Sequence, residues 1–161
     1  MASAIEPPGT RRTATDLLAD RLEKDHQIVG VSLNGRLYDL HTPLDVADSG
    51  SLAPVRAGDD LGLKVIRHST AHVMADAVQR LFPGTKVTIG PATESGFYYD
   101  FDKPDGAFTE EDLGRIEAAM TAVIEGKHRF RRDVVSREQA HELFASLGET
   151  YKRELIDAIP E

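Results

Sequence analysis

The sequence contains no cysteine, so a disulfide framework, a thiolate zinc site and a cysteine nucleophile are all excluded within this chain. It also lacks any apolar run approaching the roughly 20 residues that span a bilayer. The first ten residues, MASAIEPPGT, have neither the charged start nor the apolar core of a signal peptide, and the expected location is cytoplasmic. A basic excess is missing as well: 27 Asp and Glu against 19 Lys and Arg leave a formal charge of −8. The deficit is even, with 10 acids and 6 bases in residues 1–60 and 17 and 13 in residues 61–161. Any contact with nucleic acid must therefore come from a local patch, because the summed field repels phosphate.

What is present is the composition of a soluble globular protein, 40% hydrophobic and 29% charged, in 161 residues that fit one ordinary domain or two small ones. Residues 1–12 read as a loose, Pro-rich and then basic entry segment. Thr13, three residues before Asp16, is suited to cap a short helix on which Leu17, Leu18 and Leu22 share a face. Ile28, Val29, Val31 and Leu33 lead into Asn34-Gly35, and Leu37, Tyr38 and Leu40 lead out. The Asn-Gly step supplies the positive φ angles of a tight hairpin. Short apolar pieces at residues 44–46 and 52–55 complete a compact α+β unit ending near residue 60.

Residues 60–82 carry a helical pattern that Pro83-Gly84 stops. Residues 86–90 and 97–102 read as two strands of a second hairpin. Thr109 with Asp112 and Ser136 with Gln139 mark the starts of two more helices, the first bearing Leu113, Ile116, Met120, Val123 and Ile124. Residues 129–135 read as a strand and residues 151–159 as a last extended stretch.

His68 and His72 stand four apart on the long helix, side by side on one face. Ile66, Thr70, Val73, Met74, Ala77 and Leu81 cluster opposite them, so the apolar stripe is expected to face the core and the histidines to project away, with the small Ala71 and Ala75 leaving room for an approaching group. Imidazole near neutral pH can act as a base, a hydrogen-bond donor or a metal ligand. A zinc ion needs a third and usually a fourth ligand, and none of His26, His41, His128 or His141 is placed by sequence to supply one. Zinc at His68 and His72 stays an open alternative to the metal-free, cofactor-free site expected. A solvated face that happens to carry two histidines is the plain alternative.

Three ordered stretches give this pattern a family likeness: Val65-Ile66-Arg67-His68-Ser69-Thr70-Ala71-His72-Val73, Ile89-Gly90-Pro91, and Gly96-Phe97-Tyr98-Tyr99-Asp100-Phe101-Asp102. Together they resemble the start of the editing domain of bacterial threonyl-tRNA synthetase, shared in part with alanyl-tRNA synthetase. The likeness continues through residues 108–113 and Glu149-Thr150-Tyr151-Lys152. Residues 13–60 resemble, more weakly, its preceding TGS domain, a small ubiquitin-like fold whose usual leading strand is not evident in residues 1–12. The resemblance implies an α+β fold in two parts, an incomplete TGS-like unit at 13–60 and a truncated editing-type domain at 61–161, in which a long helix packs on an antiparallel sheet.

The family's editing domain hydrolyses tRNA for threonine mischarged with serine. Serine lacks one methyl group, and a pocket's preference worth about one methylene is only about 1–3 kcal/mol, so a second, hydrolytic site is needed. The resemblance implies that His68 and His72 position water or act as acid and base, and that Lys152 lines the same site. It places Tyr98 and Tyr99 against the substrate, and Asp76, four residues beyond His72, is grouped with them. A lysine there can anchor a hydroxyl or stabilise a developing oxyanion. Lys127, Arg129, Arg131 and Arg132, beside His128, form the one basic concentration and the candidate RNA contact.

The family's pocket is closed by a later Cys-x-x-x-His segment, followed by the aminoacylation core and the anticodon-binding domain. None lies within these 161 residues, so the chain is not expected to act as a complete threonine-tRNA ligase. Self-association or a partner chain is one way to complete the pocket. Three readings follow: the first part of a longer synthetase, a free-standing relative with a derived reaction at the same histidine pair, or a non-catalytic module that binds tRNA or a synthetase.

Overall fold

The computed structural model describes residues 11–45, 51–128 and 132–160. They divide into two compact units, with the boundary between Ile66 and Arg67. The boundary falls inside the long helix, six residues beyond the end of the first unit expected at residue 60.

In the first unit, strand β1 (Arg11–Thr13) runs directly into helix α1 (Ala14–Leu17), followed by α2 (Ala19–Leu22). Thr13 closes a capping box: its hydroxyl accepts from Asp16 N–H at 3.2 Å and its own N–H donates to Asp16 Oδ2 at 3.0 Å. Strand β2 (Ile28–Leu33) and β3 (Arg36–Tyr38) form the expected hairpin around Asn34 at φ 52° and Gly35 at φ 78°, the pair of positive angles that a mirror-type turn requires. Strand β4 (Pro43–Asp45) pairs antiparallel with β1, and β5 (Ala53–Arg56) with β2, giving the order β3-β2-β5. Strand β1 takes in Arg11 and Arg12 of the segment read as a loose entry, and residues 1–10 of that segment lie outside the described residues. At three residues, two of them arginines, β1 is too short to show an alternating pattern. Ala14, Leu18, Val31, Leu33 and Leu44 form the core, with Leu17, Leu22, Tyr38, Leu40 and Leu52 packed around them. Val46, Ser49 and Gly50 of the expected pieces lie outside the described residues.

Helix α3 (Asp60–Leu81) begins in the first unit and ends in the second. Its buried side chains in the second unit are Ala71, Ala75, Ala77 and Val78. This corrects the expected stripe: of Ile66, Thr70, Val73, Met74, Ala77 and Leu81 only Ala77 is fully covered, and Ile66 is 40% exposed. The helix is apolar around most of its circumference, so periodicity alone did not select the packed face. Ala71 and Ala75 belong to that face, and they are covered rather than open to an approaching group.

Strands β6 (Lys86–Val87) and β7 (Phe101–Asp102) pair antiparallel, and Thr88 and Asp100 extend the ladder through Thr88 N–H to Asp100 O at 3.2 Å and Asp100 N–H to Ile89 O at 3.0 Å. The second hairpin exists but with far less regular strand than expected. Pro91 has no N–H to donate, and the remaining pairing reduces to a bridge between Ala92 and Phe97. Helices α4 (Glu110–Glu125) and α5 (Arg137–Ser146) start at the capping boxes of Thr109 with Asp112 and Ser136 with Gln139. Residues 132–135 form no strand, and Val134 and Val135 are 78% and 49% exposed. Residues 129–131 of that stretch lie outside the described residues.

The last stretch is a helix, α6 (Thr150–Asp157), not extended chain. Tyr151 with Leu155 and Lys152 with Ile156 stand at i, i+4, a spacing that places each pair on one helical face. Arg137 fixes its far end, donating to the carbonyls of Ile156 at 2.7 Å and Ile159 at 2.6 Å.

Candidate functional site

Helix α3 presents His68 and His72 together, as the spacing requires. Their Nε2 atoms are 3.1 Å apart and their rings meet edge to face, centroids 4.6 Å apart at 89°. One ring must donate and the other accept, so the pair is joined by a single shared proton position. Both residues keep substantial exposure to solvent.

Helix α6 carries Lys152, near enough to His72 for its charge to be felt there. Its Nζ donates to the Thr88 carbonyl at 3.3 Å and to the Tyr99 hydroxyl at 3.5 Å, and lies 6.0 Å from the centre of the Tyr99 ring. Partial burial of its imidazole holds His72 below the usual histidine value, and the charges of His68 and Lys152 push in the same direction. His72 is thus kept as a neutral base near pH 7.

Tyr99 owes its position to two neighbours. Its ring stacks on Phe101, centroids 5.0 Å apart at 21°, and it lies so close over Gly90 that an added Cβ there would meet its ring carbons at 2.2–2.6 Å. The stack continues from Phe101 to Phe108 and on to Phe82 at the end of α3, at 5.8 and 5.4 Å. Thr88 also lines, with Ile89, Tyr151, Glu154 and Leu155, a cleft of about 250 Å³.

The other expected site residues are Tyr98, Asp76 and the basic group. Tyr98 is 53% exposed. Asp76 is held by its own helix: Arg80 Nε and Nη2 donate to its two carboxylate oxygens at 3.0 and 2.7 Å. Lys127, at φ 46° just beyond α4, and Arg132 are exposed, while Arg129 and Arg131 lie outside the described residues. Among the described residues no group of three or more His, Cys, Asp or Glu side chains is placed to hold a metal ion. The sequence reading missed Thr88 and the role of Gly90. Gly90 sits inside one of the three matching stretches, but only the ring lying on it explains why that position is glycine.

No protein-family model matches the chain. Individual proteins do. A threonine-tRNA ligase of Oleidesulfovibrio alaskensis is 52% identical over 139 residues, which is 86% of this chain and 21% of the ligase. The ligase of Allorhizobium ampelinum is 49% identical over 152 residues, 94% of this chain, and that of a Wolbachia from Brugia malayi is 41% identical over 157 residues, 98% of this chain. Over the matched stretch the chain is a relative of threonine-tRNA ligases. It spans only about 22% of the length of these relatives. Among the described residues no helix is long and apolar enough to cross a membrane.

The lowered value of His72 has a thermodynamic consequence. Unfolded, this imidazole takes up a proton more readily than it does in the fold, so its contribution to stability is present above about pH 6.5 and is lost as pH falls through the folded value. The melting temperature should therefore drop between pH 7 and pH 5. His72→Asn should drop less over the same range, as a pair of thermal melts would show.

Proposed function

We propose that His68, His72, Lys152 and Tyr99 form an editing-type site that hydrolyses the aminoacyl ester of serine mischarged onto tRNA for threonine. The observation that supports it is a lysine on α6, within reach of the Tyr99 hydroxyl at 3.5 Å, whose charge is felt by an imidazole of the pair on α3, 80 residues away in sequence. A neutral imidazole beside a fixed ammonium is a base next to an anion stabiliser, the two elements that ester hydrolysis needs. In the step proposed, water attacks the ester carbonyl carbon as an Nε2 of the pair takes its proton. Lys152 faces the oxyanion that forms. The carbon–oxygen bond to the ribose then breaks, the ribose oxygen receives the proton, and serine and intact tRNA leave. RNA contact through Lys127 and Arg132 belongs to the same proposal, since the net charge of the chain favours no other approach.

The test is loss of the ester from Ser-tRNA and Thr-tRNA in the presence of the purified 161-residue chain. Ser-tRNA should be hydrolysed faster, and His68→Ala with His72→Ala should return the rate to that of the uncatalysed ester, a loss of at least 100-fold for removal of positioned acid-base groups. Binding of tRNA that survives the double substitution, with no hydrolysis from the parent chain, would overturn the catalytic reading in favour of a binding module.

A further inference from the structure

Helices α1, α4 and α5 each begin with a side chain that caps their own backbone, whereas α6 does not. The residue at its N-cap position, Glu149, is only 9% exposed and turns its carboxylate away to another helix: Oε1 accepts from Gln79 Nε2 at 2.6 Å. Gln79 also donates to the Thr85 carbonyl at 3.1 Å. Gln79 follows His72 by seven residues, two turns along the same face of α3, and Glu149 precedes Lys152 by three. The contact between Gln79 and Glu149 therefore joins the same two helices that carry His72 and Lys152, two turns beyond the first and about one turn before the second.

The chain entering α6 is fixed from three sides. Gly148, at φ 68°, closes α5 with its N–H to the Ala145 carbonyl at 3.0 Å, and Glu149 N–H reaches the Phe144 carbonyl at 2.9 Å, the paired bonds of a glycine-terminated helix end. Lys86 on β6 donates to the Gly148 carbonyl at 2.8 Å. Gln79 supplies the third hold, and the buried setting of Glu149 makes it strong, because a covered carboxylate without a donor is costly.

We propose that Gln79 and Glu149 are positioning residues, a clamp between α3 and the start of α6 that fixes Lys152 beside the histidine pair. The inference rests on the site described under the proposed function, but its test reads His72 directly and not hydrolysis. The charged or titratable groups that face His72 are His68 on its own helix and Lys152 on α6. Gln79→Met removes the clamp without changing any charge, so an upward shift of the His72 titration, followed by NMR of its ring, reports withdrawal of Lys152. Lys152→Met should give the same upward shift, and adding it to Gln79→Met should shift His72 no further.

Gln79→Asn, polar but one methylene shorter, serves the same test if the methionine variant does not fold. An unmoved His72 titration in either variant, or a full additional shift on removing Lys152, would overturn the clamp while leaving the hydrolytic reading intact. Absent hydrolysis with the predicted His72 shifts would do the reverse.

Discussion

Alanine in place of Gly90 is expected to cut ester hydrolysis at least tenfold and to lower stability by about 1–3 kcal/mol. The new methyl group would lie 2.2 Å from Tyr99 Cδ2 and 2.4 Å from Cε2, distances no side-chain contact tolerates. These atoms belong to a rigid ring stacked on Phe101, so the ring as a whole must move. Its hydroxyl, which receives Lys152, moves with it. The check is a rate for Ser-tRNA hydrolysis beside a urea melt: a variant that melts like the parent and hydrolyses like it would show that Tyr99 has no need of this platform.

Gly62→Ala is expected to have the largest effect on the first unit. On an open helix alanine is better than glycine by about 1 kcal/mol, and Gly114 on α4, with nothing within 4 Å of a built Cβ, should show that gain. At Gly62 the Cβ would sit 1.8 Å from the Arg56 carbonyl oxygen and 2.6 Å from its carbon. That neighbour is backbone, and it is held in place by Arg56 N–H to Asp59 Oδ2 at 2.8 Å. The clash outweighs the propensity, and a net loss of about 2 kcal/mol or more is expected, since forcing extra atoms into close packing costs about 1–3 kcal/mol before the backbone itself has to shift. Paired denaturant melts of the Gly62→Ala and Gly114→Ala variants should move in opposite directions.

The sequence was most legible where the signal is local. The three capping boxes, the Asn34-Gly35 turn and the stop at Pro83-Gly84 each depend on residues within a few positions of one another, and the structure has all of them. The pairing of His68 with His72 is local in the same sense. It failed where a distant partner decides the outcome. Helix α6 has no capping side chain to announce it, because Glu149 is engaged by Gln79, so its start looked like the end of a strand. The face of α3 was misjudged because large apolar residues at 66, 73 and 74 outweigh two alanines in any periodic reading, while the surrounding chain packs on the alanines. Residues 132–135 have valines, but both stay exposed and form no strand. The motif stretches pointed to Lys152 and Tyr99, but that both belong to one contact is a product of the tertiary fold.

The facing imidazoles impose one more condition. The accepting ring has its Nε2 lone pair aimed at the N–H of the ring one helical turn away, while the donating ring keeps its own lone pair on Nδ1. The pair is thereby polarised: exchanging donor and acceptor requires both rings to change tautomer together.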